Sequence, residues 1–176
     1  FKMFTLATAI HMGMNPNITV NCSSPISWKQ SDGSTYRCQN YANADYGYVS
    51  LARATEVSSN TGYVQIAEAI GNQNILQMCR KLGVDTSTMQ DVLSLTLGSG
   101  EVSTLEMAEA MGTFASGGQH REAVAITEIV SRSGKTLYKH EDEYEQVLTT
   151  GEARAVTQVL QGVMTNGTGR DGNPWA

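Results

Sequence analysis

Apolar residues recur at helical spacing in several parts of this chain, and polar or glycine-rich breaks separate those parts. Residues 1–13 carry their larger apolar side chains on one face, at Phe1, Phe4, Ala7 and Ile10. Helical patterning returns over 48–57, breaks at Ser58-Ser59, and resumes over 60–70. A further helix is predicted over 74–82, where the apolar positions are Ile75, Leu76, Cys79 and Leu82. The pattern therefore predicts a mainly helical protein.

Two capping boxes and one alternating stretch complete this pattern. Ser103-x-x-Glu106 and Thr149-x-x-Glu152 each place a hydroxyl three residues before a glutamate, which is the signature of a helix N-terminus. Between them, residues 123–130 alternate in polarity, "SRSG" follows as a turn, and "KTLY" returns. This arrangement predicts a single β-hairpin.

Residues 14–47 show no helical period and are rich in Asn, Ser, Gly and Tyr. We interpret them as a long irregular segment, which is uncommon in a compact domain and is often functional. Aromatic residues gather in or beside it, at Trp28, Tyr36, Tyr41, Tyr46 and Tyr48. They either pack this segment onto the helices or line a substrate groove.

Charge and composition narrow the function classes. The 12 Lys and Arg against 17 Asp and Glu leave a net charge of −5 with no basic run, which argues against a nucleic-acid partner. No stretch approaches the roughly 18 apolar residues of a membrane span. The three histidines are scattered and fit no metal-ligand spacing, so we expect no metal or other cofactor. Helical periodicity is already under way at Phe1, and we expect a piece of a longer protein.

The three cysteines divide into two groups. Cys22 and Cys38 lie in the irregular segment, while Cys79 lies in a predicted helix. A disulfide between Cys22 and Cys38 would suit an oxidising compartment, and two free thiols are the alternative. Cys79 is expected to be a small core residue.

The polar cluster Ser58-Ser59-Asn60 has two interpretations. Ser and Asn are favoured N-cap residues, because a side-chain oxygen satisfies a free N–H of the first helical turn. The same cluster could instead form one wall of an active site. Lys2 raises a similar choice, because a lysine on an apolar helix is usually a surface residue with a buried stem. The 56 residues between Lys2 and Ser58 are enough chain to bring both into one cleft.

Several of these stretches resemble the penicillin-binding serine transpeptidases of peptidoglycan synthesis. "FKMFTLATAI" looks like the S-x-x-K motif of that family without its first two residues, and "SSNTGYVQIA" resembles the S-x-N motif. "GSGEVSTLEMAEAMGTFASGG" and "VLQGVMTNGTGRDG" are similar to later segments, the second of which leads into a K-T-G motif. The four stretches keep the family's order along essentially the whole chain. The resemblance implies the helical lobe of the α/β, β-lactamase-like transpeptidase fold.

The departures from the family pattern are also informative. The nucleophilic serine would stand two positions before Phe1, and the K-T-G strand would follow Ala176. Lys135-Thr136-Leu137 does not replace K-T-G, because Leu stands where a glycine lets the substrate lie against the strand. We therefore expect residues 1–176 to be a single partial transpeptidase domain, truncated at both ends and inactive by itself.

The resemblance implies a role for three residues. Lys2 would be the base that activates the serine for attack on a D-alanyl-D-alanine carbonyl. Ser58 would relay a proton between Lys2 and the leaving nitrogen. Asn60 would hold Lys2 and hydrogen-bond the amide of the substrate. β-Lactams would acylate the same serine, and Ser59 would remain a helix cap.

Two alternatives to a transpeptidase stay open from the sequence. A class A β-lactamase would add a deacylating glutamate downstream of S-x-N, and "MQDVLSLTLGSG" contains none. A class D β-lactamase usually has S-x-V instead of S-x-N. A non-catalytic penicillin-binding sensor or scaffold would keep all the motifs, and only its other domains would distinguish it.

The resemblance also implies a setting for the protein. The parent would be a bacterial cell-wall enzyme, anchored in the membrane with its catalytic domain on the extracytoplasmic face. "GTGR" favours the bifunctional class A type, which also carries a glycosyltransferase domain. The partners would be peptidoglycan stem peptides and β-lactam antibiotics. Without the sheet that normally packs beside it, the 176-residue piece is expected to expose apolar surface and self-associate.

Overall fold

The computed structural model describes residues 1–29 and 33–174, which form six α-helices and eight short β-strands. The helices are α1 (Lys2–His11), α2 (Leu51–Glu56), α3 (Asn60–Ile70), α4 (Asn72–Lys81), α5 (Thr104–Ala115) and α6 (Thr150–Thr165). The strands are β1 (Thr19–Asn21), β2 (Ile26–Lys29), β3 (Thr35–Cys38), β4 (Tyr48–Ser50), β5 (Gln119–His120), β6 (Glu128–Val130), β7 (Thr136–Lys139) and β8 (Glu145–Gln146). Three 3₁₀ turns cover Tyr41–Asn43, Leu93–Leu97 and Arg170–Gly172.

Helix α1 forms the centre of the core. Every residue from Phe4 to Ile10 is buried, so this helix is covered on all sides rather than along one stripe. It packs against α3, α4, α6 and the 3₁₀ turn at Leu93–Leu97. The hydroxyls of Thr5 and Thr96 hydrogen-bond to each other at 2.7 Å, which satisfies two polar groups inside the core. Any side chain at the start of α1 is therefore held by a rigid element.

The predicted helices are largely confirmed. Helix α3 has the predicted bounds, 60–70, and α4 begins two residues earlier than the predicted 74. Both capping boxes are present, with reciprocal side-chain and backbone hydrogen bonds. These capping boxes start α5 and α6, which pack against each other.

The helix predicted over 48–57 is wrong at its start. Residues Tyr48–Ser50 form strand β4, which pairs antiparallel with β1 in the register Thr19↔Ser50. The Ser50 hydroxyl accepts a hydrogen bond from the Arg53 N–H at 3.0 Å, so Ser50 is the N-cap and α2 begins only at Leu51. Pairing with a strand some thirty residues away overrides the local helical pattern.

The interpretation of 14–47 as irregular is also wrong in part. This segment contains β1 and the hairpin β2–β3, where Trp28 lies opposite Tyr36. In the described ranges the strands form four two-stranded antiparallel sheets, where the sequence predicted one hairpin. The predicted hairpin is confirmed as β6–β7, although its first strand begins at Glu128 and not at Ala123. Strands of two to four residues are too short to show an alternating pattern in the sequence.

The 22–38 disulfide is not formed in the structure, where Cys22, Cys38 and Cys79 are buried free thiols. The two sulfurs face different neighbours. Cys22 Sγ packs against α3 at Gly62, where an added Cβ would lie 2.5 Å from it. Cys38 is near Lys2, and burial raises the pKa of both thiols. Cys79 is completely buried in the core, as expected.

Candidate active site

The turn between α2 and α3 sets the backbone of the candidate site. The N–H of Ser58 donates to Thr55 O at 3.0 Å, and the N–H of Ser59 donates to Ala54 O at 2.9 Å. These two bonds form a Schellman motif, which ends α2 and places Ser58 at the position that glycine usually occupies. Ser58 has φ = 54°, a left-handed backbone that is strained for any residue with a Cβ.

That strain is evidence about function. A left-handed non-glycine residue costs on the order of 1–3 kcal/mol and persists where the surroundings require it. A glycine at this turn would serve α2 equally well, so the fold alone gives no reason for a serine. The exposed hydroxyl of Ser58 is therefore the feature to explain.

The next residue, Ser59, is the helix cap. It is completely buried, and its Oγ accepts a hydrogen bond from the Gly62 N–H at 3.1 Å. The capping interpretation is therefore correct for Ser59, and Ser58 and Asn60 have other contacts. The single cluster "SSN" thus divides into one structural residue and two residues whose side chains are free to meet a neighbour.

That neighbour is Lys2, in the first turn of α1. Lys2 Nζ donates to Ser58 Oγ at 3.0 Å and to Asn60 Oδ1 at 2.9 Å. The structure thus brings together the three side chains that the sequence predicted for one site, from positions 56 and 58 residues apart. Their catalytic roles stay predictions.

The surroundings of Lys2 favour its neutral form. Burial lowers the pKa of Lys2, because the ammonium ion loses hydration, and only the nearby Cys38 opposes this shift. Within the described ranges, no Asp or Glu forms an ion pair with Lys2. A neutral amine has two N–H donors and one lone pair. When Lys2 is deprotonated, Ser58 and Asn60 can accept from both of these donors, and the lone pair is then left to accept a proton.

Asn60 is fixed at both ends of its amide. Its Oδ1 accepts a hydrogen bond from Lys2 Nζ, which has N–H donors in both its charged and its neutral form, and its Nδ2 donates to Gln39 O at 3.0 Å. One Nδ2 hydrogen is left for another acceptor. The backbone N–H of Asn60 donates to Oδ1 of Asn40 at 2.8 Å. Sequence reasoning missed Asn40, because the helix start to which its Oδ1 is bonded lies about twenty residues further along the chain.

The aromatic cluster beside the site is only partly packed. Trp28 and Tyr36 contact each other across the β2–β3 hairpin, with ring centroids 6.2 Å apart. Tyr41 is 89% exposed and Tyr48 is 74% exposed. Tyr46 is partly buried against the hydrophobic core, so the packing interpretation fits this residue, whereas Trp28 and Tyr36 are shown only in contact with each other.

Other sequence features lie apart from the site. Lys135 is exposed just before β7, and Thr136 and Leu137 are exposed on β7, where the Thr136 hydroxyl donates to Glu128 of the facing strand. A concavity of about 740 Å³ lies along 120–145, and none of its lining residues belongs to the Lys2 cluster. In the part of the chain that the structure describes, no three His, Cys, Asp or Glu side chains are arranged to hold a metal ion. No helix there has the length and apolar character to cross a bilayer.

Comparison with known sequences defines the family. The family described as penicillin binding protein transpeptidase domain matches residues 1–175. The chain therefore belongs to the penicillin-binding protein transpeptidase family. Penicillin-binding protein 1A of Aquifex aeolicus (strain VF5) is 31% identical over 163 residues, which are 93% of this chain and 22% of the relative. Penicillin-binding protein 1A of Neisseria meningitidis serogroup A is 30% identical over an alignment of 177 positions, which covers 97% of this chain and 22% of the relative. The chain thus spans about a fifth of the length of these curated relatives.

Solved structures confirm the predicted fold class. Penicillin-binding protein 1A from Haemophilus influenzae superposes with a TM-score of 0.86 at 19% identity, over 96% of this chain and 29% of that one. An imipenem acyl-enzyme complex of penicillin-binding protein A from M. tuberculosis gives a TM-score of 0.84 at 20% identity, over 99% of this chain and 45% of that one. The 176 residues have the fold of the helical part of such a transpeptidase domain.

Proposed function

We propose that this chain is part of a peptidoglycan D,D-transpeptidase, a serine enzyme that cross-links stem peptides through an acyl-enzyme and is acylated by β-lactams. The observation that carries the proposal is the pair of hydrogen bonds from Lys2 Nζ to Ser58 Oγ and Asn60 Oδ1. Family membership supports the reaction class. The nucleophilic serine and the K-T-G strand would come from sequence that flanks these 176 residues, so the domain described here is partial.

Lys2 is the general base in this proposal. The serine would stand one helical turn before it, at the i, i+3 spacing that puts two side chains on one helix face. As the serine Oγ forms a bond to the D-alanyl carbonyl carbon, its proton passes to the free lone pair of Lys2 Nζ. The lowered pKa of Lys2 supports this role, because a base must be deprotonated before it can act.

Ser58 and Asn60 serve the second half of the acylation. The C–N bond to the terminal D-alanine breaks, and the leaving nitrogen takes a proton that Ser58 relays from Lys2. The exposed hydroxyl of Ser58, hydrogen-bonded to Nζ, is in position for that relay. Asn60 keeps Lys2 aimed and offers its remaining Nδ2 hydrogen to the substrate amide. An amine of a neighbouring stem peptide then displaces the serine and restores the enzyme.

The partners and setting follow from the same assignment. One structural neighbour carries imipenem as an acyl-enzyme, which supports β-lactam binding by this chain's parent. The parent is a cell-wall enzyme that acts on the extracytoplasmic side of a bacterial membrane, anchored by its own N-terminal segment. The resemblance of "GTGR" to the class A type supports a bifunctional parent that also carries a glycosyltransferase domain. The 176 residues alone self-associate through exposed apolar side chains such as Leu105 and Leu137.

The test is the intact mass of the protein after incubation with penicillin. It compares the 176-residue chain with an extended protein that carries the native flanking sequence at both ends. One penicilloyl adduct is expected on the extended protein only. Asn60→Ala should slow its formation about 100-fold or more, because one preorganised hydrogen-bonding group is lost. Asn17→Ala is the matched control, since Asn17 is exposed and belongs to no site. An extended protein that forms no adduct rules the proposal out.

A further inference from the structure

Asn40 is a buried polar residue beside the candidate active site, and the proposed mechanism assigns it no role. It is 2% exposed, lies in no helix or strand, and follows β3 after one intervening residue, Gln39. We propose that Asn40 is a positioning residue for the transpeptidase reaction, which holds the S-x-N turn and the amide of Asn60 in the orientation that Lys2 requires. This inference rests on the proposed function.

The oxygen of the Asn40 side chain caps the start of α3. The first N–H groups of a helix have no partner within the helix and need one from elsewhere. Asn40 Oδ1 accepts from the backbone N–H of Asn60 at 2.8 Å and of Thr61 at 3.1 Å. It also accepts from the hydroxyls of Ser59 at 3.1 Å and Thr61 at 3.2 Å. Ser59 then satisfies Gly62, so the whole first turn of α3 depends on these two side chains.

The nitrogen of the Asn40 side chain donates hydrogen bonds to backbone carbonyls on the side away from α3. Asn40 Nδ2 donates to Cys22 O at 3.0 Å and to Ala44 O at 2.9 Å. The backbone N–H of Asn40 donates to Ser24 Oγ at 2.9 Å. One end of the amide thus meets only donors and the other end only carbonyl acceptors. The side chain therefore has a single orientation, and it ties the segment 22–44 to the helix that begins with Asn60.

Asn40 affects the position of Lys2 through the backbone carbonyl of the residue before it. Gln39, which precedes Asn40, accepts the Asn60 Nδ2 hydrogen bond through its backbone oxygen. Asn40 therefore fixes the backbone of Asn60 directly and the amide of Asn60 through Gln39. With Nδ2 on Gln39, Oδ1 must point to Lys2 Nζ. If Asn40 is removed, both constraints on Asn60 weaken together, and Lys2 loses a well-placed acceptor.

The experiment measures the second-order rate of acylation of the extended protein by a fluorescent penicillin across a pH series. Asn40→Ala should lower this rate about 10-fold to 100-fold, the range expected when a reacting group is misplaced by about 1 Å. The rising limb of the pH profile reports the deprotonation of Lys2, and Asn40→Ala should move this limb to lower pH, as Asn60→Ala should also do. The reason is that the ammonium form of Lys2 loses an acceptor that stabilises it. A merely structural role would lower the rate at every pH and leave the limb in place.

A double-mutant cycle separates action through Asn60 from a general loss of folded protein. Asn40→Ala should add little to the rate loss in an Asn60→Ala background, because the two changes remove the same constraint. Equal fold losses in both backgrounds, or an unmoved pH limb, overturn the proposal.

A milder variant covers the case in which Asn40→Ala fails to fold. Ser24→Ala removes only the hydroxyl that accepts from the Asn40 backbone, and it should move the limb in the same direction by a smaller amount. A limb that stays in place in a folded Ser24→Ala protein counts against the proposal. Asn17→Ala is again the control. If the unmodified extended protein is not acylated, the proposed function itself fails, and that outcome is distinct from a failure of Asn40 alone.

Discussion

Ser58 offers a test that separates the backbone strain of its turn from the function of its hydroxyl. Its backbone is left-handed, with φ = 54°, a conformation that is unfavourable for a residue with a Cβ. Its hydroxyl accepts a hydrogen bond from Lys2. Ser58→Gly and Ser58→Ala both remove that hydroxyl and its hydrogen bond. They differ only in whether the strained position still carries a Cβ, so the difference between them isolates the backbone strain.

The size of that difference follows from two opposing contributions. A Cβ in the left-handed region costs roughly 1–2 kcal/mol. Compared with alanine, glycine leaves the unfolded chain more conformational freedom, and this lowers the free energy of unfolding by about 0.4–1 kcal/mol. We therefore expect Ser58→Gly to be more stable than Ser58→Ala by about 0.8 kcal/mol in the free energy of unfolding, and by no more than about 1.6 kcal/mol. Both variants should lose about 10²–10⁴-fold in acylation rate, the range for one proton-transfer group.

The assay is urea unfolding of the extended protein followed by circular dichroism, together with the rate of penicilloyl adduct formation by mass spectrometry. The control pair is Gln158→Gly and Gln158→Ala, at an exposed interior position of α6. There the order should reverse, with Ala more stable than Gly by up to about 1 kcal/mol. A Ser58→Gly protein that is less stable than Ser58→Ala refutes the strain argument. A Ser58→Gly protein that is acylated at the normal rate refutes the relay.

Three further predictions concern Lys2 and the contact between Gly62 and Cys22. Lys2→Arg keeps a charged donor that cannot act as a base, so acylation should fall about 10²–10⁴-fold at every pH, as measured by adduct formation. Because burial lowers the pKa of Lys2, the unfolded chain binds its proton more tightly. The free energy of unfolding should therefore rise with pH between the lowered pKa and the ordinary value of 10.5, and Lys2→Met should abolish that rise in urea titrations. Gly62→Ala would bring a Cβ within 2.5 Å of Cys22 Sγ and should lower the free energy of unfolding by about 1–3 kcal/mol. Adding Cys22→Ala should recover part of this loss. If the losses of the two single variants are strictly additive in the double variant, the contact is contradicted.

Some elements could be predicted because their causes lie within a few residues. The capping box at Ser103 and Glu106 satisfies its own helix end, and α3 ends at a glycine one residue past Ile70. These features need no distant partner. Strand β4 shows the opposite case, because residues 48–50 have a helical pattern and become a strand only through pairing with β1.

The candidate site shows the same division. The residue types at Lys2, Ser58 and Asn60 are visible in the sequence through their resemblance to family motifs, whereas Asn40 resembles nothing there. A buried amide becomes important only when donors and acceptors from several segments converge on it. Four of the donors to Asn40 come from Ser59, Asn60 and Thr61.

The sequence by itself determined the helical class, the capped helix ends, the family resemblance and the three residues of the candidate site. The tertiary structure alone decided that Lys2 Nζ lies 3.0 Å from Ser58 Oγ, that Ser58 takes a left-handed backbone, and that Asn40 holds Asn60 in place. Helix periodicity and capping are contacts between near neighbours, which any short window of sequence contains. Hydrogen bonds across 20 to 58 residues depend on how the core packs, and burial of the Lys2 amine exists only once that packing is complete.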